Sequence, residues 1–210
     1  MSPWIVYSIG FLAQILFSSR LVVQWLLSEK SKRIVTPSAF WKLSLIGSFL
    51  LFVYGYLRQD LAIMLGQTIT YFIYIRNLDI QGEWKKSPRF VRYFLLFFPV
   101  LIVLYGYNNG QYDLSLLLHN EDIPKWLMTL GICSQLLFTF RFIYQWLYSE
   151  KHKISDLPIG FWTISAIGAF LILLYAVFRK DPVLFVGHVA GLTIYIRNIM
   201  ILKNQRYEAF

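Results

Sequence analysis

The chain has 210 residues, 57% of them hydrophobic, 19% aromatic and only 15% charged, with a mean hydropathy of +0.53 and a net charge of +9. A soluble domain of this size cannot hide so many large apolar side chains, so a bilayer is the expected solvent for much of it. The positive charge does not point to nucleic acid, because no basic patch falls on a soluble segment; basic residues beside apolar runs instead set orientation and meet anionic lipid head groups.

A helix needs about 20 mostly apolar residues to cross the hydrocarbon core. In chain order such runs fall at 4–27, 39–57, 61–78, 90–107, 125–148, 160–178 and 182–202. The first run lacks a basic leader and a small-residue cleavage site, so it reads as a retained helix. Pro37 and Pro158 stand just ahead of runs two and six, where a missing N–H costs least. "RQD" at 58–60 and "RKDP" at 179–182 read as tight polar hairpins. Cys133 lies alone in an apolar run, so neither a disulfide framework nor a cysteine metal cluster is expected.

Charge gives these runs a direction. Lys30, Lys32, Arg33, Lys85, Lys86, Arg89, Arg92, Lys151, Lys153, Lys203 and Arg206 fall on one side of a seven-span arrangement. The other side carries Arg58, Lys125, Arg179 and Lys180 with the acidic Asp113, Glu121 and Asp122. The positive-inside tendency places the N-terminus outside and the C-terminus in the cytoplasm.

The chain also repeats itself without a gap. "FSSRLVVQWLLSEK" begins at Phe17 and "FTFRFIYQWLYSEK" at Phe138, an offset of 121 residues. The same offset pairs Gly10 with Gly131, Gln14 with Gln135, Phe40-Trp41 with Phe161-Trp162, Ser44 with Ser165 and Gly47 with Gly168. It ends with "IYIRN" at 73–77 and again at 194–198. The expected fold is therefore all-α and integral to the membrane, with seven transmembrane helices in a 3+1+3 plan. Residues 4–79 form the first three-helix repeat and 80–124 a linker with helix four and an external loop. Residues 125–202 form the second repeat and 203–210 a cytoplasmic tail. Three spans reverse direction across the membrane, so the extra span restores the second repeat to a parallel orientation about an axis along the membrane normal. A site between the halves is the usual consequence of that layout.

Polar residues at helical spacing mark the candidate site. Arg20, Gln24 and Ser28 recur at i, i+4 and i+8, and Arg141 and Gln145 copy them. From Trp4, Arg20 lies about 24 Å along a helix that rises 1.5 Å per residue. Gln67, Tyr71, Tyr74 and Asn77 make a stripe in span three, matched in span seven by His188, Leu192, Tyr195 and Asn198. Arg76 and Arg197 end these helices and are counted among the substrate-binding candidates, although snorkelling to the interface also explains their position. Glu29 and Glu150 lie at the same level and are expected to partner an arginine of their own repeat. Gln14, Gln67, Gln135 and His188 are expected to line a cavity, although Gln14 and Gln135 also suit bonding between helices and His188 suits a packed core. Trp25, Trp41, Trp146 and Trp162 suit an interfacial belt or packing. Ser44-x-x-Gly47 and its copy suit close helix approach.

Guanidinium groups in a low-dielectric bundle are costly without an anion, and their paired donors suit phosphate. Arg20 and Arg141, with Gln24, Gln145, Asn77 and Asn198 around them, would hold a phosphorylated sugar, and Tyr74 and Tyr195 would stack on its ring. No P-loop, Gly-rich dinucleotide turn, HExxH or Ser-His-Asp arrangement occurs, so no cofactor, metal or catalytic residue is expected.

The combination of Gln, Phe, Arg, Gln-Trp, Ser-Glu-Lys, Pro, Phe-Trp, Ser, Gly, Tyr, Asp, Gly and Ile-Tyr-Ile-Arg-Asn, present in both halves, resembles the lipid A biosynthesis N-terminal domain family. The likeness covers nearly the whole chain apart from span four and the loop at 108–124. That family is in turn similar to the PQ-loop superfamily of SWEET sugar transporters and KDEL receptors, which share the 3+1+3 plan. The resemblance implies outer-membrane glycolipid assembly at the inner membrane of a Gram-negative bacterium. It also links the chain to lipid-A-disaccharide synthase, a glycosyltransferase that is an implied partner, although no glycosyltransferase site is visible. The leading expectation is a transporter or flippase for a phosphate-bearing lipid-linked sugar or lipid A-related glycolipid, with membrane lipids as further partners. A non-catalytic module that recruits lipid A enzymes, a SWEET-like small-sugar carrier and an integral-membrane enzyme are the alternatives. Gln67 against His188 and Tyr71 against Leu192 make the two halves unequal.

Overall fold

The computed structural model describes residues 3–57, 61–108, 124–179 and 182–208. Among these are α1 (Pro3–Ser31), α2 (Ser38–Leu57), α3 (Leu61–Ile80), α4 (Arg89–Asn108), α5 (Lys125–His152), α6 (Ile159–Arg179) and α7 (Pro182–Glu208), with one 3-10 turn at Trp84–Lys86. No strand occurs among the described residues. The hairpin at 58–60, Lys180, Asp181 and the acidic loop with Asp113, Glu121 and Asp122 lie outside them. Four helices, α1, α2, α5 and α6, are long and apolar enough to cross a membrane. With large apolar side chains such as Trp4, Ile15, Phe97, Leu136 and Phe170 left exposed, the chain is a membrane protein.

Helices one, five and seven run further than the apolar runs alone predict. The helix takes in Ser-Glu-Lys at 28–30 and again at 149–151, where the sequence reading places connecting segments, and α7 continues through the expected tail to Glu208. An apolar run measures the hydrocarbon thickness, whereas backbone hydrogen bonding continues into the polar interface. Lys32 and Lys153 follow α1 and α5 with φ of 54° and 56°, the left-handed conformation that ends many helices. Two residue types that tolerate it better, Gly and Asn, are absent at both copies. Each connection then runs to a proline, and Phe40 and Phe161 donate their N–H groups to the carbonyls of Pro37 and Pro158 at 2.9 Å, starting α2 and α6.

Within each half the helices pack in succession, α1 on α2 on α3 and α5 on α6 on α7; the halves meet along two seams, α1 against α7 and α3 against α5. Glycine sets the approach within a half. A Cβ on Gly47 would come within 3.1 Å of the Phe17 ring, and one on Gly168 within 3.2 Å of the Phe138 ring. The core carries the repeat into ring geometry. Phe40 meets Trp41 edge-on at 4.8 Å and Phe161 meets Trp162 at 5.0 Å, while Trp41–Tyr74 and Trp162–Tyr195 both stand 6.0 Å apart. Helix α4 stays outside this core, its Phe98 lying 4.1 Å from Phe49 and 6.2 Å from Phe52 of α2.

Candidate functional site

The duplicated polar residues fall into three layers, each related by the 121-residue offset. The innermost holds the arginines. Arg20 is 4% and Arg141 2% exposed. Arg20 Nη1 donates to Ser44 Oγ at 2.5 Å and Tyr74 OH at 3.2 Å; Arg141 Nη1 donates to Ser165 Oγ at 3.3 Å and Tyr195 OH at 3.0 Å. Every partner is neutral and comes from the same half. Aromatic faces supply the rest of the environment: Phe17, Phe40 and Tyr74 around Arg20, and Phe138, Phe161 and Tyr195 around Arg141. Both guanidiniums also lie against one ring, Phe142, at 5.4 and 4.6 Å. Among the described residues neither arginine has a carboxylate partner, and Arg20 Nε and Arg141 Nε are buried without a hydrogen bond. Gln67 Oε1 and Tyr71 OH are buried and unpaired as well.

The second layer crosses the seams. Gln24 and Asn198 exchange two amide hydrogen bonds, at 3.1 and 3.2 Å, between α1 and α7. Gln145 and Asn77 do the same at 2.8 and 3.1 Å between α5 and α3. All four side chains are fully buried, and each glutamine also donates to the serine one turn on, Ser28 or Ser149. A buried primary amide is satisfied by this reciprocal pairing. The halves are therefore mutually complementary, glutamine of one to asparagine of the other, as in an isologous dimer.

The third layer consists of ion pairs. Arg197 holds Glu29 in a bidentate fork, Nε to Oε2 at 3.0 Å and Nη2 to Oε1. Arg76 holds Glu150 likewise, Nη2 to Oε2 at 3.0 Å and Nε to Oε1, with Asp79 Oδ2 2.9 Å from Arg76 Nη1. The expectation that Glu29 and Glu150 partner arginines of their own repeat is thus corrected. Glu29 on α1 faces α7, and Glu150 on α5 faces α3, so the arginine within reach belongs to the other half. The carboxylates do not touch Arg20 or Arg141. Arg76 and Arg197, whose side chains stay 41% and 43% exposed, are tied across a seam.

The remaining candidates scatter. The faces of Tyr74 and Tyr195 meet Trp41 and Trp162, and Tyr74 also meets Phe142 edge-on at 5.1 Å. His188 packs at a tilt against Phe138, ring centroids 5.1 Å apart, which ties it to the Arg141 surroundings. Gln14 lines a groove of about 500 Å³ between α1 and α7 rather than the arginine layer. The Gln135 side chain lies outside the described residues. Trp41 and Trp162 are fully buried, so packing, not the interfacial belt, is their place. Sequence reasoning missed the role of four participants. Ser44 and Ser165 bond the arginines, Phe142 bridges them, and Ser155 donates to Asn77 Oδ1 at 2.7 Å. The serines carried a signal, since both stand 24 residues after their arginine; Phe142, opposite Leu21 in the other copy, carried none.

Comparison with known proteins agrees with this duplication. The family described as the lipid A biosynthesis N-terminal domain matches residues 9–79 and again 130–200. Curated relatives include the lipid-A-disaccharide synthase of Chlamydia felis (strain Fe/C-56), 31% identical over 98% of this chain and 35% of that protein. The protein of the same name from Chlamydia pneumoniae is 31% identical over 97% of this chain and 34% of its own length, and that of Chlamydia trachomatis serovar D is 27% identical over 97% and 35%. The chain therefore spans about a third of the length of these relatives. No solved structure matches it.

Proposed function

We propose, because the chain belongs to the lipid A biosynthesis N-terminal domain family, that it is an inner-membrane binding and translocating protein for a phosphate-bearing glycolipid of lipid A assembly. One observation carries the reading: two almost fully buried guanidiniums, one per repeat, share an aromatic ring and have no carboxylate among the described residues. Burying such charges uncompensated costs several kcal/mol each, and a phosphate is the ligand that removes the cost and fits the fork. Arg20 and Arg141 would hold the phosphate, with Tyr71, Gln67 and the Ser44 and Ser165 hydroxyls around it. Tyr74, Tyr195 and the Gln24–Asn198 and Gln145–Asn77 pairs would meet the sugar as the halves part.

In this proposal all seven helices cross the membrane in a 3+1+3 plan, with the N-terminus outside and the basic connections cytoplasmic. The Glu29–Arg197 and Glu150–Arg76 forks close the cytoplasmic end, and one triple-helix unit rocks against the other to open it. Native mass spectrometry of gently solubilised protein tests the site. The wild type is expected to retain a phosphorylated lipid, and Arg20→Met/Arg141→Met to lose it on the order of tenfold while melting no lower. Replacing uncompensated buried charge by apolar volume is neutral or stabilising by about 1–4 kcal/mol. Equal retention by a folded variant, or a variant that melts lower, breaks the reading.

A second reading, a module that recruits the glycosyltransferase, is favoured by the Chlamydia relatives, in which the matching region is about a third of a longer chain. Charge reversal at Lys85, Lys86 and Arg89 would then abolish co-purification of that enzyme without touching lipid retention.

A further inference from the structure

The repeat duplicates the two arginines but not what stands beside them. The second half is the more apolar: it has Phe142 where the first has Leu21, and Leu192 where the first has Tyr71. The Arg141 guanidinium lies 3.4 Å from the centre of the Phe138 ring and 4.6 Å from that of Phe142. The rings nearest Arg20, those of Phe17 and Phe40, stand at 4.6 and 5.1 Å. Arg141 is therefore the more closely stacked of the two, with more of its charge taken up by aromatic faces.

Unpaired polar groups show the opposite bias. Tyr71 is 2% exposed and its hydroxyl makes no hydrogen bond among the described residues, and Gln67 Oε1 and Arg20 Nε are buried and unpaired with it. The corresponding positions of the second half hold Leu192, which has no polar atom to pair, His188 packed on Phe138, and Arg141 Nε. Tyr71 precedes Tyr74 by one turn on the same face of α3, about 4.5 Å along the axis. It belongs to the same buried cluster as Tyr74, Phe40 and Phe142, three of the rings around Arg20. Tyr74 already offers its oxygen to Arg20 Nη1. Arg20 Nε and the Tyr71 hydroxyl can both donate, so one acceptor, such as a phosphate oxygen, suits the two together.

We infer that the phosphate binds on one side only, against Arg20, and that Tyr71 is a binding residue that donates to it. Arg141, across the Phe142 ring, contributes charge without a contact, and Gln67, one turn further along α3, meets the group that carries the phosphate. The inference rests on the arginine reading above and adds that a chain built from two copies holds its ligand in one orientation.

The test uses solubilised full-length protein and hexadecyl phosphate, reading bound lipid by native mass spectrometry and melting temperature without lipid. Tyr71→Phe removes one oxygen. It is expected to lower retention several-fold and to leave the lipid-free melting temperature unchanged or raised, because an unpaired buried hydroxyl does not support the empty fold. Arg20→Met is expected to cost more retention than Arg141→Met. Inorganic phosphate is offered separately; a melting temperature that it raises in the wild type but not in Tyr71→Phe, without lipid retention, would make free phosphate the source of the same contact. Unchanged retention by folded Tyr71→Phe overturns the inference, as does a lower lipid-free melting temperature, which would show the hydroxyl already bonded within the fold. Equal losses in the two single arginine variants overturn it too, leaving a symmetric site and the arginine reading intact. Retention at the wild-type level by Arg20→Met/Arg141→Met would instead end that reading.

Discussion

The two seams start from the same ladder and end with different strengths. Between α1 and α7, Gln24 meets Asn198 and Glu29 meets Arg197. Between α3 and α5, Gln145 meets Asn77 and Glu150 meets Arg76, and the connection after α5 then joins in. Ser155 donates to Asn77 and Gln145 donates to the Asp156 carbonyl at 3.1 Å, while Lys153 and Trp146 reach Glu150 much as Lys32 and Trp25 stand beside Glu29. The equivalent connection after α1 bonds its own helix, Val35 N–H to Ser28 Oγ at 3.0 Å, and through Thr36 reaches Asp156 Oδ1 at 3.4 Å and accepts from Gln81 Nε2 at 3.0 Å, but it does not brace Asn198. Ile34 occupies the place of Ser155, so no side-chain hydroxyl is available to brace Asn198. The difference teaches that a duplicated interface need not open evenly. In the rocking proposed above, the α3–α5 seam would serve as the hinge and the α1–α7 seam, with its groove, as the opening.

The amide layer separates the seams most sharply. Asn77→Leu removes the partner of both Gln145 Oε1 and the Ser155 hydroxyl, although Gln145 keeps Ser149 and the Asp156 carbonyl, and is expected to cost about 2–3 kcal/mol, as for buried partners left unsatisfied. Asn198→Leu strands Gln24 alone, which keeps Ser28, and is expected to cost about 1 kcal/mol, nearer the average for hydrogen bonds inside membranes. Thermal unfolding of the two variants in one detergent compares them directly; equal losses would erase the distinction between hinge and opening.

Smaller effects belong to the ion pairs, which are half-buried and worth about 0–1 kcal/mol each. The double exchange Glu29→Arg/Arg197→Glu is expected to recover part of the stability that either single change loses, because Lys32 acts on that pair, whereas both Lys153 and Asp79 act on the other. The matching exchange Glu150→Arg/Arg76→Glu is expected to fail, since the new arginine would face Lys153 and the new glutamate Asp79. Recovery in both double variants would show that the seams are electrostatically equivalent after all.

Much of this was legible in the sequence because the chain states it twice. The offset from Phe17 to Phe138 located both copies of every layer, and helical spacing put Arg20, Gln24 and Ser28 on one face. Pairing was less legible. Glu29 and Gln24 lie on one helix, and nothing in their spacing says whether α3 or α7 supplies the partner; that follows from how the halves meet. Interior position was hidden too. Arg20 in an apolar run suits a water-filled cavity and a packed aromatic cage equally well, and the choice was made by Phe17, Phe40 and Phe142, which come from three helices. The groove depended on Gly187 lying opposite Gln14 across 173 residues of chain, a contact that no local pattern encodes.

The smallest expected effect lies outside the seams, where the halves share nothing. Glu83, after α3, accepts from Lys42 Nζ at 2.6 Å and from Lys86, whereas the offset puts Asn204 and Thr163 opposite Glu83 and Lys42. The two ammonium groups pull the Glu83 carboxyl from 4.5 down to about 2. A carboxyl with a lowered pKa in the folded state contributes stability that is complete above 4.5 and disappears as the pH falls toward 2. The lysines are largely exposed, so solvent screens the pair and the contribution is slight. Glu83→Gln is therefore expected to leave the melting temperature at pH 2 almost unchanged and to lower it a little at pH 6, flattening the acid limb. Acid sensitivity from this source belongs to the first half alone, and Asn204→Asp is expected to leave that limb as it is. An equal flattening with Glu83 intact would place the titrating group elsewhere and return the two halves to equivalence at this end of the molecule.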